Sequence, residues 1–207
     1  ESYYQETGRA GRDGGEGNCI AYYAYKDIEK LEKFMSGKPV AEQEIGHALL
    51  QEMVSYAETS ISRRKFILHY FGEEFDNKTG EGGMLDDNMK HPKPQSEAKS
   101  DVLNIIKIIN QTKEIYKSKD LVDILIGKEN ALIKSHSIIK SRLFGVGKDK
   151  PNEYWMALIR QCIVALLLKK DIESYGIVKI TEIGLKFLTN PVSFMMSEDH
   201  HYKYQTS

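Results

Sequence analysis

Between residues 72 and 96 apolar side chains become scarce. The stretch holds four glycines, two prolines and six acidic residues, the composition of a loop or linker that cannot bury enough surface to order itself. A chain of 207 residues interrupted in this way is expected to form two small packed units, an expectation compatible with the ~150 residues of a typical domain.

The flanks are globular in character, since the whole chain is 41% hydrophobic and 29% charged. Two cysteines, Cys19 and Cys162, cannot build a disulfide framework or a four-cysteine zinc site. The longest apolar run, Ile163 to Leu168, is far short of the ~20 residues that cross a bilayer. No basic-then-apolar leader opens the sequence, so a soluble protein of a reducing compartment is expected. The first residue is Glu1, without a methionine and within a motif, and the expectation is a piece of a longer protein. The net charge of -1 hides an asymmetry. Residues 97–190 carry 16 basic and 11 acidic side chains, a net +5, whereas every other block is acidic. A phosphate backbone would be held by that third block.

The pattern of apolar residues gives the elements. Residues 19–25 (CIAYYAY) are aromatic and β-prone and predict a buried strand. Asp27 is expected to cap a helix through Met35, closed by Gly37 and Pro39. From Val40 to Tyr56 the residues Ile45, Leu49, Met53 and Tyr56 fall on one helix face, and a second helix is expected from Ser60 to Phe71. Past residue 97 come a helix opening at Asp101, a short strand at Glu114–Tyr116, a helix from Ser118 to Gly127 and a third helical segment over 130–141. A glycine-rich turn, 144–151, leads into a long helix, Asn152 to Leu168, with Trp155 at the core or wall near its start. Two strands, 170–173 and 177–180, and a closing helix, 183–188, complete the series. The whole is mostly α with a small β part (α+β). Helix, short strand, two helices and a two-stranded ribbon is the order of a winged helix, which presents a helix and a hairpin to DNA. Pattern alone leaves an unrelated α+β bundle as the competitor.

The segment Tyr3 to Gly14, YYQETGRAGRDG, places Arg9 and Arg12 three apart among Gly8, Gly11 and Gly14. Glycine permits tight turns, and the planar guanidinium fork pairs two phosphate oxygens. The arrangement suits two arginines reaching a triphosphate; a basic surface loop is the plainer alternative.

These twelve residues resemble motif VI of RecQ-family DNA helicases. Two further segments extend the resemblance: SRRKFILHYFGE (Ser62 to Glu73) is similar to the helical hairpin before the RecQ zinc knuckle. RLFGVGKDKPNEYWMALIRQCI (Arg142 to Ile163) is similar to the family's winged-helix signature, with Phe144, Gly145, Gly147, Lys148, Asp149, Trp155, Ile159, Arg160 and Gln161 at its fixed positions. The resemblance implies a map: residues 1–36 end the second RecA-like motor lobe, 37–96 are the zinc-binding region, 97–190 the winged helix and 191–207 a tail or linker. It implies an ATP-dependent 3′–5′ DNA helicase of repair and recombination, using ATP and Mg2+. The expected location is cytoplasmic and nucleoid-associated, as in a bacterial-type cell. No GxxxxGK[ST] loop or Asp-Glu-x-His box occurs in the 207 residues, so this segment alone is expected not to hydrolyse ATP.

By the same resemblance Arg12 is the arginine finger, while Arg9 and Gln5 couple ATP state to lobe closure. Duplex or forked DNA would be held without sequence preference by Lys134, Lys140, Arg142, Lys148 and Lys150, with Lys117 and Lys119 nearby. Tyr175, at the expected wing tip, could stack on the terminal base pair as a strand-separating pin; a turn tyrosine lying on the surface is the alternative. The zinc knuckle departs from the family. Its four cysteine positions are Ser62, Gly82, Leu85 and Asn88, and zinc requires about four N or S donors. His69 and His91 are the available substitutes, solvated histidines the simpler reading. No zinc is expected, and packing of Leu49, Met53, Phe66 and Tyr70 should hold the hairpin. The reading from another class is a non-catalytic winged-helix module that binds DNA or docks a protein.

Overall fold

In a computed structural model, which describes residues 1–202, the apolar core gathers in the second half of the chain. Helices α6 (Lys99–Gln111), α7 (Ser118–Ile126) and α9 (Asn152–Val164) meet through Val102, Ile105, Ile109, Leu121, Ile124, Leu125, Trp155, Leu158 and Cys162, all fully or nearly fully buried. Their three- and four-residue spacing sets these side chains on one face of each helix. Gly127 ends α7 in the left-handed region, φ 78°, where glycine meets no Cβ penalty.

A hairpin follows α9. Strands β2 (Leu168–Asp171) and β3 (Ile177–Ile180) pair antiparallel with Leu168 opposite Ile180. Helix α10 (Glu182–Thr189) then closes this unit, its first turn capped by the Thr181 hydroxyl, which accepts from Gly184 N at 3.1 Å. Three helices and a two-stranded wing are present, in a fold that is mostly α with small sheets.

The first half is different. It comprises α1 (Ser2–Thr7), α2 (Tyr25–Met35), α3 (Val40–Glu58), α4 (Arg63–Tyr70) and α5 (Asp87–Lys90). Among its described apolar residues only Ile28, Val54 and Phe66 are buried. Ile20, Tyr22, Leu31, Phe34, Val40, Ile45 and Leu49 stand exposed. The expected buried strand at 19–25 does not form. No strand pairs with it among the described residues, and Tyr25 already begins α2. A lone strand leaves its ladder groups unpaired, so aromatic content alone cannot make one.

Other expectations shift in the second half. Glu114–Tyr116 is not a strand: Lys113 and Glu114 turn the chain through the left-handed region, and pairing shrinks to one bridge, Lys117 with Ile177. The helical segment at 130–141 breaks into α8 (Ala131–Lys134) and a 3-10 turn, Ser137–Lys140. Ser135 Oγ donates to Leu132 O at 2.7 Å and His136 Nδ1 lies 2.8 Å from the same carbonyl, side-chain bonds that compete with helix continuation.

The largest correction concerns the expected linker and tail. Residues 95–97 of the linker form β1 (Gln95–Glu97), which pairs antiparallel with β4 (Met195–Ser197) from the tail; residues 203–207 of that tail lie outside the described residues. Gln161 holds the β4 backbone from both sides, donating to Ser197 O at 2.6 Å and accepting from Ser197 N at 3.2 Å. Arg160 forms a buried ion pair with Asp199. This C-terminal strap also reaches the end of α3: Ser60 and Ser197 hydroxyls are 2.8 Å apart and His200 N donates to Glu58 O at 2.7 Å. The strap thus ties the helical hairpin to the winged helix.

Residues 73–85 remain a surface loop, while Asp86, Asn88 and the strap hold its far end. Limited proteolysis should therefore cut within 73–85, and the two pieces should elute together on native gel filtration, separating only in denaturant. Pieces that part without denaturant would show that the strap does not join them.

Burial pushes the Asp199 carboxyl up to about 6, because its Oδ1 is enclosed without a hydrogen-bond partner among the described residues. The folded state therefore holds this proton more tightly than the unfolded chain, whose carboxyl titrates near pH ~4. Its contribution is complete below that pH and lost as pH rises to about 6. The melting temperature of wild type minus that of Asp199→Asn should fall across this window and level off above it; a flat difference would exclude the coupling.

Candidate nucleic-acid interface and arginine loop

The Arg-Leu-Phe-Gly-Val-Gly-Lys-Asp segment sits over the C-terminal end of α7. Gly145 N donates to Ile124 O at 2.8 Å and Gly147 N to Leu125 O at 2.7 Å, so the loop takes up orphan carbonyls of that helix. Trp155 Nε1 donates back to Gly147 O at 2.9 Å. A Cβ on Gly147 would lie 2.2 Å from the indole, and only glycine fits there. The loop is a rigid base from which Lys148 points outward.

Five expected DNA-contacting cations lie along residues 134–150, and the structure distinguishes them. Lys140, Arg142 and Lys148 are exposed and make no ion pair among the described residues. Lys134 is exposed, with Glu129 at 3.4 Å, a contact that solvent screens to little. Lys150 is turned inward. Its ammonium pairs with Asp101 and sits 4.7 Å from the Tyr154 ring centroid, while Tyr154 Oη donates to Asp101 Oδ2 at 2.6 Å. Burial and that carboxylate raise the Tyr154 pKa. Lys150 thus braces the start of α6 against α9. Lys119 is exposed, and Lys117 pairs with Glu44 of α3 at 3.8 Å.

Tyr175 occupies the tip of the hairpin, 43% exposed, and it and Gly176 both have positive φ, 56° and 86°. Asp171 fixes the turn, accepting from Ser174 N at 3.1 Å and from Lys179 Nζ at 2.6 Å; these bonds hold its carboxyl down at about 2. Lys170 is directed to Glu52 of α3, so the wing leans on the helical hairpin.

Arg9 and Arg12 lie on a glycine turn after α1. Gly11 and Gly14 have φ 75° and 84°, and a Cβ on Gly11 would come within 2.7 Å of Gly15 O. Gln5, Arg9 and Arg12 are all exposed, and Arg9 has Glu6 at 4.0 Å as its one ion-pair partner among the described residues. Helix α1 is fastened to the hairpin by two aromatic contacts the sequence pattern did not suggest. Tyr3 lies 5.0 Å from Tyr56 with their hydroxyls 3.1 Å apart, and Tyr4 lies 4.6 Å from Phe71.

The four zinc positions do not assemble a metal site. No group of three or more His, Cys, Asp or Glu side chains able to hold a metal occurs among the described residues. Ser62 and Asn88 offer a hydroxyl and an amide, both already hydrogen-bonded, and neither is a zinc donor of the required kind. His91 is exposed, and His69 is half-buried beside a cavity of about 190 Å³ between α4 and α9, where burial lowers its pKa. Of the expected packing set, Leu49 stands exposed and Phe66 is buried.

The RQC domain family matches residues 92–205, more than half of the chain, and the RecQ zinc-binding family matches 25–86. The chain belongs to the RecQ family. It is 31% identical over 177 residues to the ATP-dependent DNA helicase RecQ of Pasteurella multocida, covering 85% of this chain and 27% of that protein. The Haemophilus influenzae helicase of the same name is 31% identical over 79% of this chain and 26% of its own length. ATP-dependent DNA helicase Q1 of Pongo abelii is 28% identical over 90% of this chain and 28% of its own length. The chain therefore spans about a quarter of the length of these RecQ relatives.

A Cβ at residue 147 has no room against Trp155. Gly147→Ala should destabilise the RecQ segment by ~1–3 kcal/mol, the usual cost of overpacking. Thermal melting reads this directly, and an unchanged melting temperature would mean the signature glycine is not there for packing.

Proposed function

We propose that this chain is the C-terminal part of an ATP-dependent 3′–5′ DNA helicase acting in repair and recombination, inside the cytoplasm and at the nucleoid. The observation that carries this reading is the joining of an arginine loop of motif VI type, through Tyr3–Tyr56 and the strap, to a winged helix whose Lys134, Lys140, Arg142 and Lys148 are exposed. The exposed apolar residues 20–49 also suit a surface that the rest of a motor lobe would cover.

In the intact enzyme Arg12 stabilises charge on the γ-phosphoryl of ATP, whose Mg2+ and first phosphate-binding loop come from elsewhere. Arg9 and Gln5 help relay nucleotide state toward α1 and the hairpin. Lys134, Lys140, Arg142 and Lys148 hold duplex or forked DNA by phosphate contacts, which fix position without choosing sequence. Tyr175 stacks at the junction.

Two experiments test this. Affinity of the chain for forked DNA across a salt series should fall by about 0.9 log unit per log salt per phosphate contact. The triple change Lys140→Ala, Arg142→Ala, Lys148→Ala should flatten that slope by up to ~3, while Lys150→Ala should leave it unchanged. A salt-insensitive affinity would favour a protein-docking module instead. In the intact helicase Arg12→Ala should lower ATP hydrolysis about 10³-fold, the scale of a lost arginine finger, and Tyr175→Ala should lower unwinding while duplex binding persists.

A further inference from the structure

The family that matches residues 25–86 is a zinc-binding one, yet none of Ser62, Gly82, Leu85 and Asn88 is a cysteine or histidine, no group of three metal-ligating side chains occurs among the described residues, and hydrogen bonds join these segments instead. Asp86 is the first element. Its Oδ2 accepts from Ser62 Oγ at 3.0 Å and from Arg63 N at 3.1 Å, and its Oδ1 accepts from Met89 N at 3.1 Å. One carboxylate therefore caps α5 and also grips the start of α4, which Ser62 caps by accepting from Lys65 N at 3.3 Å.

Asn88 is the second element, 2% exposed. Its amide nitrogen donates to Thr59 O at 2.7 Å and Ile61 O at 2.8 Å, the carbonyls of the elbow between α3 and α4. With the nitrogen committed to two carbonyls, the oxygen must face a donor, and His200 Nε2 supplies it at 2.6 Å. Arg63 adds an outer clasp, reaching both oxygens of Asp87 at 2.5 and 2.9 Å and Tyr56 O at 2.7 Å.

We infer that this RecQ protein has a metal-free knuckle in which an Asp86–Asn88 staple does the structural work assigned to zinc in the family. The staple joins three segments, 56–63, 86–89 and the strap at 200. Two of the four positions vacated by cysteine, Ser62 and Asn88, are themselves members of it. Through His200 this staple also reaches the segment anchored by Arg160 and Gln161, and so fixes the elbow to the winged helix.

The test uses the whole chain. Protein purified without chelator is assayed for zinc by elemental analysis and melted with and without EDTA. Zinc well below one per chain and a melting temperature unmoved by EDTA are expected. Asn88→Ala should lower the melting temperature by about 5 °C, because it strands two buried carbonyls and the His200 donor. Hydrogen exchange should rise at 59–63 and 198–201 and stay unchanged in α6 and α7. Asp86→Asn, which keeps the shape and loses acceptors, should give a smaller shift of the same kind and serves if Asn88→Ala does not fold. About one zinc per chain lost with stability on chelation, or variants that melt and exchange like wild type, would overturn the inference.

Discussion

Arg160 and Gln161, adjacent on α9, grip one short strand, and the arrangement of the two halves depends on that grip. Gln161 reads the Ser197 backbone in both directions and Arg160 neutralises Asp199 in a buried site. Burying such a pair is costly, and its net contribution against an apolar alternative is small. Breaking it is another matter, because a lone buried charge is left behind. The pair therefore specifies where the strap goes more than it adds stability. The strap then holds Ser60 through Ser197 and Asn88 through His200, and with them the elbow of a helical hairpin that buries little apolar surface of its own.

In α6, α7 and α9, where apolar periodicity meets the core, the elements are legible in the sequence. The stripes of α6, α7 and α9, the hairpin at 177–180 and the buried Trp155 follow from spacing and from glycine at 127. Where the core was missing, pattern misled. CIAYYAY has strand composition without a strand to pair with, and Ile45 and Leu49 make a stripe with nothing over it. Residues 72–96 looked like a linker because their ordering rests on polar side chains. In the structure Asp86 caps α5, its Oδ1 accepting from Met89 N at 3.1 Å, a role that no apolar pattern signals.

The candidate site was legible in part. Arg9 and Arg12 sit on a glycine turn, as spacing suggests, and Tyr175 is at the hairpin tip. Lys150 shows what a charge count cannot reveal. A lysine in a basic block is indistinguishable in sequence from its neighbours, yet its partner Asp101 lies 49 positions upstream. The same holds for Lys170 and Glu52, 118 apart. Lys150 and Lys170, like Lys117 and Arg160, are therefore spent on joining elements, and fewer cations of the basic block are free for a phosphate backbone than net charge implies.

The contact between His200 and Asn88 spans 112 positions, and this has a consequence for synthesis on the ribosome. At ~5–20 residues per second, Asn88 is translated roughly 6–22 s before its last partner exists. During that interval the Asn88 amide oxygen is left to water and β1 has no strand beside it. The nascent first half, poor in buried apolar surface, waits as an open chain until residues 195–200 are made and close it.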